Sequence, residues 1–311
     1  MQRTAPTVLL GAQRFQPTLG ARVAALGIRG RIATITAGWQ ERETDDADLV
    51  EHLDGRTVRL NLHARGEQLF KDDPELAAAH RERQDTLRAM QDLYRLRLDH
   101  AMDAERAVRA SHAPDLVREE ARLAAIDTIR ELDAWHLAQC VRVRSEFEEA
   151  MHPFGRPSVR RQRSELAELL GGCDAVCVAG GHVAMLINRL TMFGMAELIG
   201  QRPVFAWSGG AMAVSERIVL FHDAPPQGEG LCEVLNHGLG LVPDVVVLPE
   251  PEQRLRLDQH ERVGLLVARF APAVCLALPA RSGVLYQDGG LSDADGVIAL
   301  AADGSHGIYA P

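Results

Sequence analysis

The chain has 311 residues, 46% of them hydrophobic, and a formal net charge of −9. The length suits one large domain or two ordinary ones. The acidic balance argues against a nucleic-acid-binding protein, which usually carries a basic surplus. No apolar run reaches the roughly 18 residues that span a bilayer, and the N-terminus lacks a long hydrophobic region. We therefore expect a cytoplasmic protein with no membrane or nucleic-acid partner.

Short apolar runs separated by glycines characterise the first 72 residues. Runs of this length with β-branched residues, at 7–11, 30–38 and 56–63, predict buried strands. The segment 16–27 predicts a crossover helix between the first two. A strand–helix–strand opening implies a parallel sheet.

Residues 74–152 contain no glycine and are rich in charge. Apolar positions recur there at three- and four-residue steps on both sides of an interruption at 111–114, which is typical of amphipathic helices. Two helices of about 35 residues would each reach about 50 Å. We predict a protruding helical hairpin at 73–154, inserted into the α/β domain. Since two helices alone bury little apolar surface, we also predict a homo-oligomer formed through the hairpin.

The remaining residues return to strand–helix alternation. Helices are predicted at 182–195 and 260–271, and strands are predicted at 174–181, 203–207, 244–249, 273–279 and 296–302. The predicted fold class is therefore α/β, with a mostly parallel sheet sandwiched by helices. Residues 1–72 and 155–311 form this domain around the inserted hairpin.

The five cysteines do not suggest a disulfide framework, because their number is odd and none forms a C-x-x-C pair. Cys173 and Cys177 are four residues apart, which leaves a metal site open. Buried free thiols are the preferred interpretation, so neither a metal nor another cofactor is predicted.

Ser208 lies where a predicted strand meets a predicted helix. The stretch 206–210 reads A-W-S-G-G, close to the G-x-S-x-G of a nucleophile elbow. A second Gly-Gly turn, Gly180–Gly181, also follows a predicted strand. Both turns would lie at the carboxyl ends of parallel strands, where ligands bind. Backbone N–H groups at Gly181 and Gly209 would then stabilise an oxyanion. A tight turn with a capping serine is the alternative.

Three segments in this order carry a resemblance to a known family. They read GGHVAMLINRL at 180–190, AWSGGAMAVSE at 206–216 and NHGLGLVPDVVV at 236–247. Together they resemble the dipeptidase E and cyanophycinase family of serine peptidases, which has the class I glutamine-amidotransferase-like fold. The resemblance covers the N-terminal strands and residues 174 to about 290, but not the hairpin. It implies a serine nucleophile at Ser208, with Gly180, Gly181, His182 and Gly209 around the oxyanion and substrate.

The chain departs from the family pattern at the catalytic base. The family's histidine follows the G-L-G-L segment closely, but this chain has Glu250 near that position and a D-x-H only later, at Asp258–His260. If residues 248–257 are an insertion, His260 is the base and Asp258 or Glu250 orients it. Otherwise Glu250 occupies the histidine position and the triad is broken.

Three smaller departures accompany this one. Gly209 replaces an alanine of the family, and His182 replaces Asp or Asn. The acidic segment expected after the next strand reads P-A-R-S-G at 279–283. His182 and His237 are further candidates for the base that serves Ser208, since a serine hydroxyl alone is a poor nucleophile.

Two functions remain open from the sequence. One is a serine peptidase or amidohydrolase that acts on small peptides or acidic amide-linked substrates, with Arg262 and Arg281 available to bind a carboxylate. The other is a catalytically inactive scaffold or binding protein that works through the hairpin. A glutamine amidotransferase would require cysteine in place of Ser208.

Overall fold

The computed structural model describes residues 6–221 and 230–311. The strands of these residues are β1 (Thr7–Leu10), β2 (Ile32–Ile35), β3 (Thr57–Arg59), β4 (Ala175–Val178), β5 (Val204–Trp207), β6 (Arg217–Leu220), β7 (Glu233–His237), β8 (Val245–Pro249), β9 (Val274–Leu278), β10 (Gly283–Gln287), β11 (Gly290–Asp295), β12 (Ile298–Leu300) and β13 (His306–Ile308). The α-helices are α1 (Leu19–Ala25), α2 (Ala47–His52), α3 (Leu62–Asp72), α4 (Pro74–Arg109), α5 (Asp115–Met151), α6 (Pro157–Gly171), α7 (Val183–Met192), α8 (Met195–Ile199), α9 (Gly209–Val214), α10 (Pro251–Arg254) and α11 (His260–Phe270). Two short 3₁₀ helices span Ala37–Arg42 and Pro153–Gly155.

The main sheet has seven strands in the order β11-β10-β1-β5-β4-β2-β3. The five strands from β1 to β3 in this order are parallel, and β10 and β11 add an antiparallel edge. Side chains alternate between the two faces: Val8 and Leu10 pack with α1 and α2, whereas Leu9 faces the larger core on the other side. The predicted α/β class with a mostly parallel, helix-covered sheet is confirmed.

A second, four-stranded sheet has the order β13-β12-β9-β8, and β6 and β7 form a separate antiparallel pair. The strands predicted at 244–249 and 273–279 are β8 and β9, and they pair in parallel within this second sheet. Its apolar side chains join the larger core of the main sheet. The division into two sheets is not visible in the sequence, because a buried apolar strand has the same composition in either one.

The third predicted strand, at 56–63, is shorter than expected. Strand β3 ends at Arg59, and Asn61 takes a left-handed conformation with φ of 51°. This turn lets α3 begin at Leu62. Asn tolerates the left-handed region better than most residues, so a single residue converts the apparent strand into a strand and a helix.

The insertion begins and ends at a buried cluster centred on Asp73. The Asp73 carboxylate accepts from the Leu76 backbone N–H at 3.1 Å and caps α4. It also accepts two hydrogen bonds of 2.7 Å from Arg156 and one of 2.8 Å from Ser158, which follow α5. Hydrogen bonds from Arg156 are the main reason that the pKa of Asp73 falls to about 2. The two ends of the insertion are thereby joined.

The hairpin does not protrude as the sequence analysis predicts, because it lies against the rest of the chain. Halfway along it, Tyr94 and Asp133 are buried and bind Arg269 of α11, with Asp133 accepting at 2.7 Å. Near its tip, Arg109 forms an ion pair with Glu261, also on α11. The amphipathic pattern shows that each helix has a buried face, but not that this face meets the α/β core.

Candidate functional site

A cavity of about 630 Å³ lies at the carboxyl ends of β1, β2, β4 and β5. Loops that follow these strands form most of its wall, and the end of β8 closes one side. This is where ligands bind in open α/β sheets. The residues that line it are Ala12, Gln13, Arg14, Gly38, Trp39, Arg42, Asp45, Asp46, Asp48, Leu49, His52, Gly180, Gly181, Val183, Trp207, Ser208, Gly209, Met212, Leu220, Phe221, Pro249, Glu250 and Arg254.

Ser208 occupies a sharp turn between β5 and α9. Its backbone has φ of 49° and ψ of −127°, a strained conformation for a residue with a side chain. The small residues around it are required by close approaches. A Cβ on Gly210 would lie 2.2 Å from the Val178 carbonyl oxygen, and one on Gly180 would lie 2.7 Å from the Ser208 Cβ. A strand, a sharp turn and a helix thus follow one another here, in the order of a nucleophile elbow.

The Gly180–Gly181 turn packs directly against this elbow. A Cβ on Gly209 would lie 2.9 Å from the Gly181 carbonyl oxygen. Gly181 has φ of 108°, a conformation that residues with a side chain rarely adopt, and its Cα lies close to Gly38 in the 3₁₀ helix after β2. Within the described part of the chain, the backbone N–H groups of Gly181 and Gly209 donate to no other group. Two unused donors therefore lie beside the serine.

Among the residues that the structure describes, the Ser208 hydroxyl contacts Glu250 and no histidine. Its Oγ donates to the Glu250 Oε1 across 3.3 Å, and the Arg254 Nε donates to Oε2 of the same carboxylate across 3.2 Å. All three residues line the cavity. Glu250 follows β8 and has φ of 57°, so the chain turns sharply there before α10. Of the two sequence alternatives, this arrangement corresponds to the one in which Glu250 occupies the histidine position.

His260 and Asp258 do not line the cavity, as far as the structure describes the chain. His260 is the first residue of α11 and is exposed, and its backbone lies against Gly304. Asp258 is exposed and binds Arg256 at 2.9 Å. The insertion that would carry His260 to Ser208 instead contains α10, which holds Arg254 next to Glu250.

The other two histidines considered from the sequence are engaged elsewhere. His182 caps α7, with its Nδ1 accepting from the Met185 backbone N–H at 3.1 Å. His237 ends β7, and burial lowers its pKa. Neither residue belongs to the cavity wall described above.

The two arginines proposed as carboxylate-binding residues also lie outside this wall. Arg262 donates to the Gly230 carbonyl oxygen at 2.9 Å, and Arg281 is an exposed residue between β9 and β10. Arg262 comes after β8 and Arg281 comes after β9. Both strands belong to the second sheet, and the sequence does not show where that sheet lies relative to Ser208.

Several polar cavity residues were missed by the sequence analysis. Arg14 follows β1, and its guanidinium lies 5.2 Å from the centre of the Phe15 ring. Arg42 follows β2 and binds Asp45 at 3.1 Å. His52 ends α2. The rule that identified the two Gly-Gly turns would have found the first two, since they also follow the carboxyl ends of predicted parallel strands.

No three His, Cys, Asp or Glu side chains are grouped as metal ligands among the described residues. Cys173 and Cys177, the pair considered for a metal site, are both buried thiols, and burial raises the pKa of each. A thiol with a raised pKa is a poor ligand, since the thiolate is the form that binds metal. Over the same residues, no helix is both long and apolar enough to cross a membrane.

No protein-family model matches the sequence, and no curated protein matches it significantly. A crystal structure of a peptidase from an acI-B1 Actinobacterium superposes with a TM-score of 0.41 at 13% sequence identity, covering 96% of this chain and 92% of that chain. A crystal structure from Listeria monocytogenes EGD-e, described as a candidate peptidase E protein, gives a TM-score of 0.30 at 16% identity, covering 42% of this chain and 63% of that chain. Similarities at these values establish neither a family nor an activity for this chain.

Proposed function

We propose that this protein is a serine hydrolase that cleaves an amide bond through acyl transfer to Ser208. The observation that carries the proposal is the strained backbone of Ser208, with φ of 49°, at the wall of a cavity of about 630 Å³. Strain of this kind persists where the surrounding structure enforces it, and it concentrates at functional sites. A serine that only capped a helix would not require this conformation.

The groups around Ser208 match the needs of acyl transfer. Its Oγ would attack the carbonyl carbon and form a tetrahedral intermediate, with negative charge on the former carbonyl oxygen. The N–H groups of Gly181 and Gly209, which have no acceptor among the described residues, would stabilise that charge. Collapse of the intermediate would release the amine and leave an ester on Ser208. Water would then hydrolyse this ester and return the serine.

A small peptide or an acidic amide-linked molecule is the proposed substrate class. The cavity volume lies within the roughly 300–1,000 Å³ typical of small-molecule sites. Three guanidinium groups, those of Arg14, Arg42 and Arg254, line the wall and offer donors for a carboxylate. Arg42 and Arg254 are already paired with acidic side chains. Arg14 is therefore the best placed of the three to bind a substrate carboxylate.

A binding protein without catalysis is the second candidate, and it is favoured because no histidine among the described residues contacts the Ser208 hydroxyl. Serine hydrolases of the family that the sequence resembles use histidine at this place. If a carboxylate cannot replace the imidazole, the same cavity would bind a ligand without cleaving it.

Labelling with a fluorophosphonate separates these two functions, because the probe reacts with activated serines and requires no known substrate. We expect the wild-type protein to be labelled at one residue and Ser208→Ala to be unlabelled. Ser145→Ala is the matched control, since Ser145 lies on α5 and outside the cavity wall. Absence of labelling in a folded wild-type protein would reject the hydrolase and leave the binding protein.

A further inference from the structure

We propose that Glu250 is the general base for Ser208 and that Arg254 is a positioning residue that holds the Glu250 carboxylate in place. This inference rests on the proposed hydrolase function. It replaces the histidine of a Ser–His pair with a carboxylate that contacts the serine directly.

The position of Glu250 is fixed by the second sheet. Glu250 directly follows β8, and its backbone N–H donates to the Leu278 carbonyl oxygen on β9 at 3.2 Å. The left-handed conformation of Glu250 turns its side chain out of the strand line, and Pro251 starts α10 immediately afterwards. The carboxylate therefore reaches Ser208 from a strand end, not from a mobile loop tip.

The two carboxylate oxygens of Glu250 have different partners. Oε1 lies 3.3 Å from the Ser208 Oγ, and Oε2 lies 3.2 Å from the Arg254 Nε. An ionised carboxylate only accepts hydrogen bonds, so the serine hydroxyl must be the donor. This directs the proton of Ser208 towards Glu250 and leaves the oxygen lone pairs free for attack.

The distance from Ser208 to Glu250 is longer than the usual 2.5–3.0 Å of an O–H···O bond. Catalytic hydrogen bonds are often long without substrate and shorten when it binds. Arg254 occupies the oxygen that does not face Ser208, so it restricts rotation of the carboxylate. Because Arg254 is four residues after Glu250, the short helix α10 brings it back to the same side.

The proton transfers balance over a full turnover. As the Ser208 oxygen bonds to the substrate carbonyl carbon, its proton moves to Oε1 of Glu250. Protonated Glu250 then donates this proton to the amide nitrogen as the C–N bond breaks and the amine leaves. In the second half, Glu250 takes a proton from the attacking water. It returns that proton to the Ser208 oxygen when the ester bond breaks and the carboxylic acid is released.

The rate of fluorophosphonate labelling tests both roles. We expect Glu250→Gln to lower the maximal labelling rate roughly 100-fold or more, the usual contribution of a general base. Half-saturation by the probe should change little, because the amide keeps the shape of the cavity. Glu250→Asp keeps the charge but shortens the side chain, so its maximal labelling rate should lie between those of the wild type and Glu250→Gln. Thermal unfolding of each variant shows whether it is folded.

Arg254 is tested by replacement and rescue. Arg254→Gln should lower the maximal labelling rate about tenfold without changing half-saturation, and Arg254→Lys should recover part of the loss because it restores a donor. If Arg254→Gln only raises the probe concentration needed for half-saturation and leaves the maximal rate unchanged, Arg254 binds the probe. That result would overturn the positioning role. Asp258→Asn and His260→Ala serve as controls, and both should react at the wild-type rate.

The outcomes separate this inference from the proposed function. Unlabelled wild-type protein would reject both. Wild-type labelling with full reactivity in folded Glu250→Gln would reject only the inference. A loss in His260→Ala or His52→Ala as deep as that of Ser208→Ala would also reject it, and would identify that histidine as the base.

Discussion

At the scale of single residues, Gly180 allows the two turns of the site to touch. An added Cβ would lie 2.7 Å from the Ser208 Cβ and 3.1 Å from the Gly209 nitrogen. The neighbouring backbone cannot yield cheaply at these distances, so Gly180→Ala should displace the elbow. Since a displacement of about 1 Å can cost roughly 100-fold in rate, we expect a loss of that order in fluorophosphonate labelling.

Gly171→Ala is the matched control for this prediction. Gly171 ends α6, and a Cβ there meets no atom within 4 Å. We expect labelling at the wild-type rate and a thermal midpoint that is unchanged or slightly raised. Full reactivity of Gly180→Ala would show that the contact between the turns does not set the position of Ser208.

His80 makes the stability of the fold depend on pH. Burial, with smaller contributions from Arg83 and Arg189, lowers the pKa of His80 to about 3. Between pH 6.5 and 3 the unfolded chain binds a proton that the folded chain excludes, so stability falls as the pH falls. From pH 7 to pH 5 this one residue should remove about 2 kcal/mol from the free energy of unfolding.

Urea unfolding at pH 7 and pH 5 checks the effect of His80. His80→Gln should be less stable than the wild type at pH 7, because it loses the ring contact with Phe70. Its decrease between the two pH values should nevertheless be about 2 kcal/mol smaller than that of the wild type. Equal decreases in the two proteins would show that other groups control the pH dependence.

Local patterns in the sequence determine some features of the site and leave others undetermined. The elbow at Ser208 and the turn at Gly180–Gly181 could be predicted, because each is encoded within a few neighbouring residues. That Glu250 lies beside Ser208 was implied by only one of two alternatives, since the residues are separated by 42 positions and follow strands of different sheets. The bond between Arg254 and Glu250 was not predicted, because residues 248–257 were considered only as a possible insertion and the short helix α10 was not expected there.

At the scale of elements, helices and strands with a strong hydrophobic periodicity could be predicted, and elements without it could not. The hairpin helices have 36 and 37 residues, and their pattern located them well. The edge strands β11 and β13 were missed. Strand β11 reads GLSDAD, and its side chains are half-buried or exposed, so it lacks the apolar alternation that indicates a strand.

The outer face of the hairpin remains our predicted homo-oligomer interface. Leu93 and Leu96 on α4 are 61% and 56% exposed, and Trp135 on α5 is 44% exposed, with the Arg97 guanidinium 4.6 Å from its ring centre. Helices about 50 Å long offer room for the roughly 800 Å² per partner of a standard interface. We expect a dimer through this face in the wild-type protein.

Light scattering over a range of protein concentrations tests this interface. The double variant Leu93→Glu, Leu96→Glu should be monomeric, because burying two carboxylates without partners is costly. Ile308→Glu is the control, since Ile308 is 73% exposed on β13 and lies outside the hairpin. A monomeric wild-type protein at high concentration would contradict the prediction.

At the scale of the whole molecule, the hairpin and the α/β body share one core. Tyr94, Leu98, Ile129 and Leu132 of the hairpin belong to the same apolar cluster as the main and second sheets. Replacing the hairpin with a short linker would therefore expose apolar surface of the body, and we expect such a chain to aggregate. Point variants on its outer face are the better test of oligomerisation.

A buried ion pair joins these two parts. Arg269 of α11 donates to both Asp133 oxygens at 2.7 Å, to the Tyr94 hydroxyl at 2.8 Å and to the Cys232 carbonyl oxygen at 2.7 Å. Burial alone would lower the pKa of Arg269, but the neighbouring Asp133 carboxylate raises it, so the guanidinium stays protonated. Removing one partner would leave the other as an uncompensated charge in the core.

We therefore expect Asp133→Ala to cost about 3–5 kcal/mol of unfolding free energy, a large part of the roughly 5–15 kcal/mol of a typical domain. The double variant Asp133→Leu, Arg269→Met removes both charges and should cost less than Asp133→Ala.

Urea unfolding followed by fluorescence can report on both parts, since Trp135 lies on the hairpin and Trp39 and Trp207 line the cavity. If hairpin and body unfold as one unit, Trp135→Phe and the wild type should give the same midpoint. Two separate transitions, or a double variant less stable than Asp133→Ala, would show that this ion pair does not couple the hairpin to the body.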